Sequence, residues 1–546
     1  MVETRRNPDR KPTWHRLVRA GLTLRIHLQA LRSTPRPYAL AAWWRLNGKR
    51  VRAHAHFAPL LAKSPLAYKL WMLDNEVSPT GAETSDTGPA QIEPPRIAAI
   101  VYDRERGAPE ARERTLRSLC AERIDLLEDL DPPEISDFAG PENRTLWILP
   151  IAAGDILAPG AGAVYGQQLQ DRAQLIYADD DLLDRDGQRH SPHFKPEWNK
   201  ELFQHLDYLS GACILRVPQK NLAGNATNWQ KQLHTLVDQA REGDIRHIPQ
   251  VLHHRQSRPT ARMPGAIAMD TGAWPSVSAI VPTRNGLHLL RTCIEGLERT
   301  NYSDLEVIIV DNGSDDPETL AYLAALAPER YRVLRHPGPF NFSALNNRAA
   351  SDARGELLCL LNNDIEIIDP DWLRILVHQA LRPDVGAVGA QLLYPDGRIQ
   401  HAGVVLGIGG GAAHAHRRLS PDEEGYFRRH ALPQFTSAVT AACLVVQRAR
   451  FEAVGGLDET QFAVAFNDVD LCLRLNRQGW QSFYEPRARL IHHESVSRGH
   501  DRDPTGAARL ANELAALKSA WSTDRITDPF HHPQLNPFSE HFVVRL

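Results

Sequence analysis

Three short apolar runs in the second half of the chain each stop in a cluster of polar side chains. "VSAIVPTRN" exits into Pro282, Thr283, Arg284 and Asn285, "LEVIIVDN" into Asp311 and Asn312, and "LLCLLNND" into Asn362, Asn363 and Asp364. A single ending of this kind is ordinary turn chemistry, because Asp and Asn cap helices and satisfy tight turns. Three consecutive endings point to a shared task. A carboxylate flanked by amides and short of basic partners is a hard-oxygen donor suited to Mg²⁺ or Mn²⁺, and such ions share their coordination with substrate phosphates. An aspartate at the end of a neighbouring strand can accept hydrogen bonds from a base or ribose. Together these parts suggest a nucleoside diphosphate held by a divalent metal.

The elements that must position these groups follow from periodicity. "NGLHLLRTCIEGL" carries Leu287, Leu290, Ile294 and Leu297 at helical spacing. "PETLAYLAAL" predicts a second helix, "YRVLRHP" a strand, and "FSALNNRAA" a helix capped by Ser343. Strands alternating with helices imply a largely parallel sheet covered on both faces, whose ligands collect beyond the carboxyl ends of the strands. The segment 404–418, "VVLGIGGGAAHAHRR", is too glycine-rich for a stable element and has basic groups at its far end; it reads equally as a mobile loop that closes over the diphosphate or as a disordered surface loop.

The stretch from about residue 275 to 500 resembles an inverting family 2 glycosyltransferase with the GT-A fold, close to the rhamnosyltransferase-like enzymes of bacterial surface-polysaccharide assembly. "VSAIVPTRNG", "VIIVDNGSDD", "FNFSALNNRAASDARGELLCLLNNDIEI", "GRIQHAGVVLG", "AACLVVQRARFEAVGGLDE", "FNDVDLCLRL" and "ARLIHHESVSRG" occur in the family's order. The resemblance implies a nucleotide-sugar donor set against Pro282, Thr283, Arg284, Asn285 and Asp311, with Asn312, Asn362 and Asn363 on the same nucleotide-binding edge. Asn362 and Asp364 fall on the ends of the family's D-x-D motif, which makes Asp364 the expected metal ligand. His492 matches a histidine that completes the metal or diphosphate site, with His493 as a rival. Asp468 falls on the position of the acidic catalytic base. Two departures matter: Asn362 replaces the first Asp of the motif, and Asn467 replaces the Glu that usually precedes the base.

The base also has a geometric argument. Asp468 and Asp470 point about 200° apart on a helix, so only one can face a cleft. Asp470 has Arg474 at i+4, which predicts an exposed ion pair and leaves Asp468 for the substrate.

Residues 96–255 resemble a faded copy of the same domain. "LIYADDDLLDRDGQRHSPHFKPEWNKELFQHLDYLSGACILRV" and "RHIPQVLHHR" carry the likeness, but "IAAIVYDRERG" lacks the donor-site turn and "LWILPIAAGDILAP" keeps Asp155 in a metal motif otherwise lost. Asp179, Asp180 and Asp181 read equally as a solvated turn or as a ligand set. This domain is expected to be degenerate, kept for acceptor binding or structure.

Bulk properties frame the rest. The chain has 546 residues and a formal net charge of −3, with a hydrophobic share of 42%, enough for two or three domains. The polar, Pro/Gly-rich stretch 76–95 and the break at 256–275 read as linkers between a basic helical region (1–75), the degenerate domain (96–255), the GT-A domain (276–500) and a helical tail (501–546). No run approaches ~18 apolar residues, and six scattered cysteines form no CxxC pair, so a cytoplasmic protein with reduced thiols is expected. Residues 1–70 are strongly basic, and Trp14, Leu17, Val18, Gly21, Leu24, Leu28 and Leu31 form a stripe at helical spacing with Arg16, Arg19 and Arg32 off it. Such a helix packs on its own protein, on a twin subunit, or peripherally on an anionic membrane at the inner face of the cytoplasmic membrane; no nucleic-acid motif accompanies the charge. The expected partners are therefore a nucleotide-sugar donor and a glycan or lipid-linked acceptor, and the competing reading is an inactive nucleotide- or glycan-binding scaffold.

Overall fold

Val277–Thr283 is buried at every position, as a strand covered on both faces must be. It lies at the heart of the second of two large sheets in the computed structural model, which describes residues 13–76, 97–103, 109–127, 145–169, 172–218, 228–267, 272, 274–494 and 504–546. The linker expected at 76–95 lies outside the described residues except for Glu76, as do residues 1–12 and the end of the "HHESVSRG" motif.

The second sheet is built from β9 (Val277–Thr283), β10 (Leu305–Asp311), β11 (Tyr331–Arg335), β12 (Leu357–Leu361), β13 (Ile365–Ile367), β14 (Val385–Leu393), β19 (Cys443–Gln447) and β20 (Gln481–His492), in the order β11-β10-β9-β12-β19-β14-β20-β13. The first four are parallel, as the alternating pattern predicts. β19 then runs antiparallel to both β12 and β14, so the sheet is mixed rather than largely parallel. Helices cover both faces: Leu287–Glu298 and Trp372–Ala380 pack on one, and Phe342–Asp352 and Asn467–Arg477 on the other.

Local caps follow side-chain chemistry. Asp316 accepts the Thr319 N–H at 2.9 Å with Pro317 in the first turn, the expected start of that helix. The next helix corrects its expectation: Asn341 is the cap, accepting from Ala344 N–H, while Ser343 donates its hydroxyl to Phe462 O from inside the helix.

The first sheet repeats the second. Its strands are β1 (Ile97–Tyr102), β2 (Asp125–Leu126), β3 (Thr145–Ala152), β4 (Ile156–Leu157), β5 (Leu175–Leu183), β7 (Cys213–Pro218) and β8 (Ile245–Arg255), in the order β2-β1-β3-β7-β5-β8-β4. Set against β10-β9-β12-β19-β14-β20-β13, every pairing keeps its direction: β1 is parallel to β2 and β3, β7 is antiparallel to β3 and β5, and β5 is parallel to β8. β6 (Arg189–His193) hangs antiparallel on β5 just as β15 (Ile399–His401) hangs on β14. The likeness of the two halves seen in the sequence is thus a likeness of topology.

The segment 404–418 is not a loose loop. β16 (Val404–Leu406) and β17 (Ala412–His414) pair as a hairpin, whose glycines 407, 409 and 410 adopt positive φ. Gly409 N–H donates to Pro537 O and Leu406 N–H to the Asp528 carboxylate, so the chain's tail seats on this hairpin. Small residues allow that close approach.

Four helices lead the described chain: α1 (Thr13–Ser33), α2 (Pro35–Leu46), α3 (Arg50–Ala62) and α4 (Leu66–Asn75). Leu22 and Ile26 of α1 pack on Leu70 of α4. The apolar stripe of α1 does not: Trp14, Leu17, Val18, Leu24, Leu28 and Leu31 are all exposed, forgoing about 2 kcal/mol of burial each. Packing of that stripe on the rest of the described chain is therefore excluded.

Candidate active site

The carboxyl ends of β9 and β12 open into a cleft of about 910 Å³. Pro282, Thr283, Arg284 and Asn285 line one side, Asn362, Asn363, Asp364 and His492 the floor, and Asp468 with Thr440 to Ala442 the other wall. The cleft therefore brings together Pro282, Thr283, Arg284, Asn285, Asn362, Asn363, Asp364, Asp468 and His492. Asp311 and Asn312 are the exceptions, and they do not line it.

Their partners explain why. Asp311 is fully buried; its Oδ1 accepts the Ser314 N–H at 2.8 Å and its Oδ2 is paired with Arg335. Asn312 donates to His336 O at 2.9 Å and to Gly338 O. Both residues build the turn behind the cleft. Asn285, at φ +52°, does related work from inside: its Oδ1 accepts the N–H groups of Asp315 and Asp316 at 3.1 Å, and its own N–H donates to Ser314 Oγ. Thr283 Oγ1 accepts from Asn363 Nδ2 at 3.0 Å, joining the ends of β9 and β12. Arg284 remains exposed at the rim.

On the floor, antiparallel pairing of β13 with β20 sets Ile365 opposite His492, which brings the Asp364 carboxylate beside the imidazole. His492 Nδ1 lies 2.7 Å from Gln400 Oε1, an acceptor, so Nδ1 carries the proton and Nε2 presents a lone pair. That Nε2 accepts from Asn362 Nδ2 at 3.3 Å and also lies 3.1 Å from Asp364 Oδ1, a buried oxygen with no hydrogen-bond partner. Two lone-pair atoms so close repel unless a cation or proton joins them. This is a fit for a divalent ion, with Gln400 holding the ligand ring in orientation. Gln400 Nε2 in turn donates to Glu494 at 2.9 Å. His493 faces away, 2.9 Å from Glu366 Oε2, and so separates from its neighbour by role.

Asp468 sits in the first turn of the helix Asn467–Arg477, two residues beyond its cap, Phe466, whose φ is +61°. Half-buried, its Oδ2 accepts the Ala441 N–H at 3.1 Å and its Oδ1 the Val469 N–H at 2.8 Å. Burial pushes its pKa up despite these donors. Ala442 O accepts the Asn362 N–H at 3.0 Å, so one three-residue loop links the proposed base to the strand end with the metal motif. Asp470 points the other way, as helical geometry requires, but it is buried rather than exposed. It pairs with Arg474 at 2.8 Å and accepts from Trp521 Nε1 at 2.9 Å.

Sequence reasoning missed several lining groups. Asp315, Tyr394, Gln400, His414, Arg417, Glu494 and Arg509 all border the cleft. Gln400 and Glu494 lay inside quoted motifs, and their spacing to His492 across sheet strands was the missing information. The tail helix Pro504–Trp521 contributes Thr505, Gly506 and Arg509. Its buried Glu513 accepts the N–H groups of Val464 and Ala465 at 3.0 Å, fixing the chain that leads into Asp468.

The first domain offers a contrast at equivalent positions. Ile156 pairs with His254 as Ile365 pairs with His492, so Asp155 stands where Asp364 stands. Yet the space is filled: Arg255 lies 3.7 Å from Asp155 and 3.4 Å from Asp180, Lys195 lies 2.9 Å from Asp180, and Arg258 also pairs with Asp180. Asp179, Asp180 and Asp181 are wholly buried in β5, not a solvated turn. Burial alone would raise the Asp180 pKa, but Lys195, Arg258 and Arg255 hold it well below the usual range. Fixed cations occupy the place of a metal.

Comparison with known proteins agrees with this architecture. The model of the family described as "Glycosyl transferase family 2" matches residues 278–432, which span β9, both metal-motif strands and the hairpin. Residues 278–432 are a family 2 glycosyltransferase domain. The O-antigen biosynthesis protein RfbC of Myxococcus xanthus is 36% identical over 434 residues, 70% of this chain and 33% of that protein. An N-acetylglucosaminyl-diphospho-decaprenol L-rhamnosyltransferase of Mycobacterium tuberculosis is 29% identical over 271 residues, 43% of this chain and 82% of that one. A solved mannosyltransferase from Pyrobaculum calidifontis, in complex with GDP-Man and Mn²⁺, is 20% identical with a TM-score of 0.36, covering 50% of this chain and 70% of its own. The chain spans half or less of the relatives that match most of its length. The family 2 domain carries the cleft, while Asp468 and His492 lie beyond the matched residues.

Proposed function

We propose that the chain is an inverting, metal-dependent glycosyltransferase that moves a sugar from a nucleotide donor to a glycan or lipid-linked acceptor in bacterial surface-polysaccharide synthesis. The observation that carries the reading is one cleft holding a buried, unpartnered carboxylate oxygen beside an oriented histidine, with a second, half-buried carboxylate on the opposite wall.

Thr283, Asn285 and the β9 turn would hold the nucleotide, with Asp311 and Asn312 acting through the turn they build. Asp364 and His492 would hold Mg²⁺ or Mn²⁺, which when bound supplies charge neutralisation for the departing diphosphate. Asp468 takes the proton of the acceptor hydroxyl as that oxygen bonds to the sugar's anomeric carbon and the bond to the diphosphate breaks on the opposite face. Its raised pKa makes it a stronger base than an ordinary aspartate. Rhamnose is the favoured sugar through the likeness to a rhamnosyltransferase. The test is transfer by Asp468→Asn: it should lose activity while still binding nucleotide, and full activity in that variant would remove the base.

A further inference from the structure

We infer that α1 and the helices packed beside it dock the protein on an anionic lipid surface. On α1 the face toward the protein is already filled by His15, Leu22, Ile26 and Ala30. The opposite face carries the apolar stripe, with Trp14 exposed at 60%, Leu17 at 70% and Leu24 at 61%. Leu40, Trp43 and Leu46 on α2 are likewise exposed. Ten of the seventeen exposed large apolar side chains of the described chain thus fall between residues 14 and 51. An amphipathic helix with its apolar face outward is the geometry of an interfacial helix, and among the described residues no helix is long and apolar enough to span a membrane.

Charge selects the occupant. Between residues 13 and 75 there are eleven Lys and Arg and a single acid, Asp74, which is taken by Arg19 at 2.8 Å. Arg25 and Arg32, both exposed and seven residues apart, stand along the stripe itself, which corrects the sequence reading of Arg32: at 100° per residue it falls beside Trp14 and Val18. There long side chains can lie on apolar surface and lift their guanidinium groups to phosphates. A second copy of the chain would set these arginines against their own kind, and a nucleic acid would leave the leucines wet. Anionic lipid headgroups over acyl chains satisfy both.

The docking unit is tied to the rest of the molecule. Tyr68 of α4 donates to Asp181 at 2.6 Å and Trp71 Nε1 to Gln534 at 3.0 Å, while the His54 ring of α3 lies 5.4 Å from Phe538. Through that tail the helices reach the hairpin whose end, His414 and Arg417, lines the cleft. Placing a lipid-linked acceptor at the cleft in this way rests on the glycosyl-transfer reading; the docking itself does not.

The experiment is co-sedimentation of the full chain with phosphatidylcholine vesicles, with and without phosphatidylglycerol, at low and high salt, alongside sedimentation velocity without lipid. Binding should require phosphatidylglycerol and weaken with salt. Leu17→Ser with Leu24→Ser and Leu28→Ser should reduce it at least roughly tenfold, and Arg25→Gln with Arg32→Gln should reduce it and flatten its salt dependence. All are surface positions, so the melting temperature serves as the folding control; the single Leu17→Ser variant gives a smaller loss in the same direction should the triple variant fail to fold. Unchanged binding in these variants overturns the inference, as does a dimer abolished by the leucine changes with no vesicle binding. Turnover of donor in solution is read separately, so failure to dock and failure of the transferase reading are distinguishable.

Discussion

At the residue scale three carboxylates proposed from the sequence have different neighbours. Asp364 keeps one oxygen without a hydrogen-bond partner beside His492, Asp468 is held by backbone N–H groups, and Asp311 is spent on Ser314 and Arg335 behind the cleft. That the first two border one cleft was legible in the sequence because they follow or precede apolar runs in recognisable motifs. The exclusion of Asp311 was not, because which side of a turn a buried carboxylate faces depends on its hydrogen-bond partners. Asp468 carries a pH prediction. Its pKa is raised above the unfolded value, so its favourable contribution to stability is present below that value and lost as pH rises through the folded pKa. Ionised Asp468 is therefore a burden at neutral pH. Asp468→Asn should melt no lower than the parent at pH 7 while losing about 10²–10⁴ in transfer rate, and the acid limb of the parent's rate profile should fall above the usual aspartate pKa near ~4. Gln400→Ala frees the His492 ring and should weaken Mn²⁺ binding about 10–100-fold, read by calorimetry.

At the element scale the tail helix acts as a clamp on the helix that carries Asp468. Glu513 receives two backbone N–H groups just before the Asp468 helix, and Trp521 reaches Asp470 at its far side. The Ala/Leu-rich composition of "TGAARLANELAALKSAW" predicts the helix in the tail, but nothing local shows that it holds a loop some fifty residues away. Glu513→Ala leaves those donors unsatisfied at a cost of about 1–3 kcal/mol. It should lower both the melting temperature and kcat, with nucleotide affinity less affected; unchanged kcat would mean that the clamp does not position the base. The glycine-rich segment shows the opposite failing of local reading. Its composition predicts a mobile loop, whereas cross-strand pairing and the tail give it a defined hairpin.

For the whole molecule, two sheets of one topology have diverged in what fills the end of each. Cations close the first around Asp155 and Asp180, and the second stays open around Asp364. The likeness was visible in the sequence as echoing motifs, and the filling was not: Arg255 and Arg258 lie 75 and 78 residues from Asp180, and nothing local shows that Lys195, in the same stretch as Asp180, turns inward onto it. The tail binds both halves. Its His532 lies 2.8 Å from Asp179, which also faces His247 at 2.9 Å. These three could be mistaken for a metal site, but His532 Nδ1 accepts the Gln534 N–H, so its Nε2 carries the proton and faces the carboxylate as a donor. Burial opposes both charges, yet His532 and His247 hold the Asp179 pKa below its usual value and Asp179 raises that of His247. The Asp179 contribution is present above the unfolded aspartate pKa and lost as pH falls through the folded one. The His247 contribution is present below the unfolded histidine pKa and lost as pH rises through the folded one. Tail protection from hydrogen exchange should therefore be greatest between about pH 4 and 6.5, and Asp179→Asn should flatten that profile.

We propose that this cleft transfers a sugar with the help of a metal held by Asp364 and His492. The most direct test is release of nucleoside diphosphate from a panel of nucleotide sugars with Mn²⁺ or Mg²⁺. One donor class should turn over, a chelator should stop it, and Asp364→Asn with His492→Ala should abolish it while the fold persists. Turnover that survives both the chelator and the double variant would mean that no metal at Asp364 and His492 takes part in transfer.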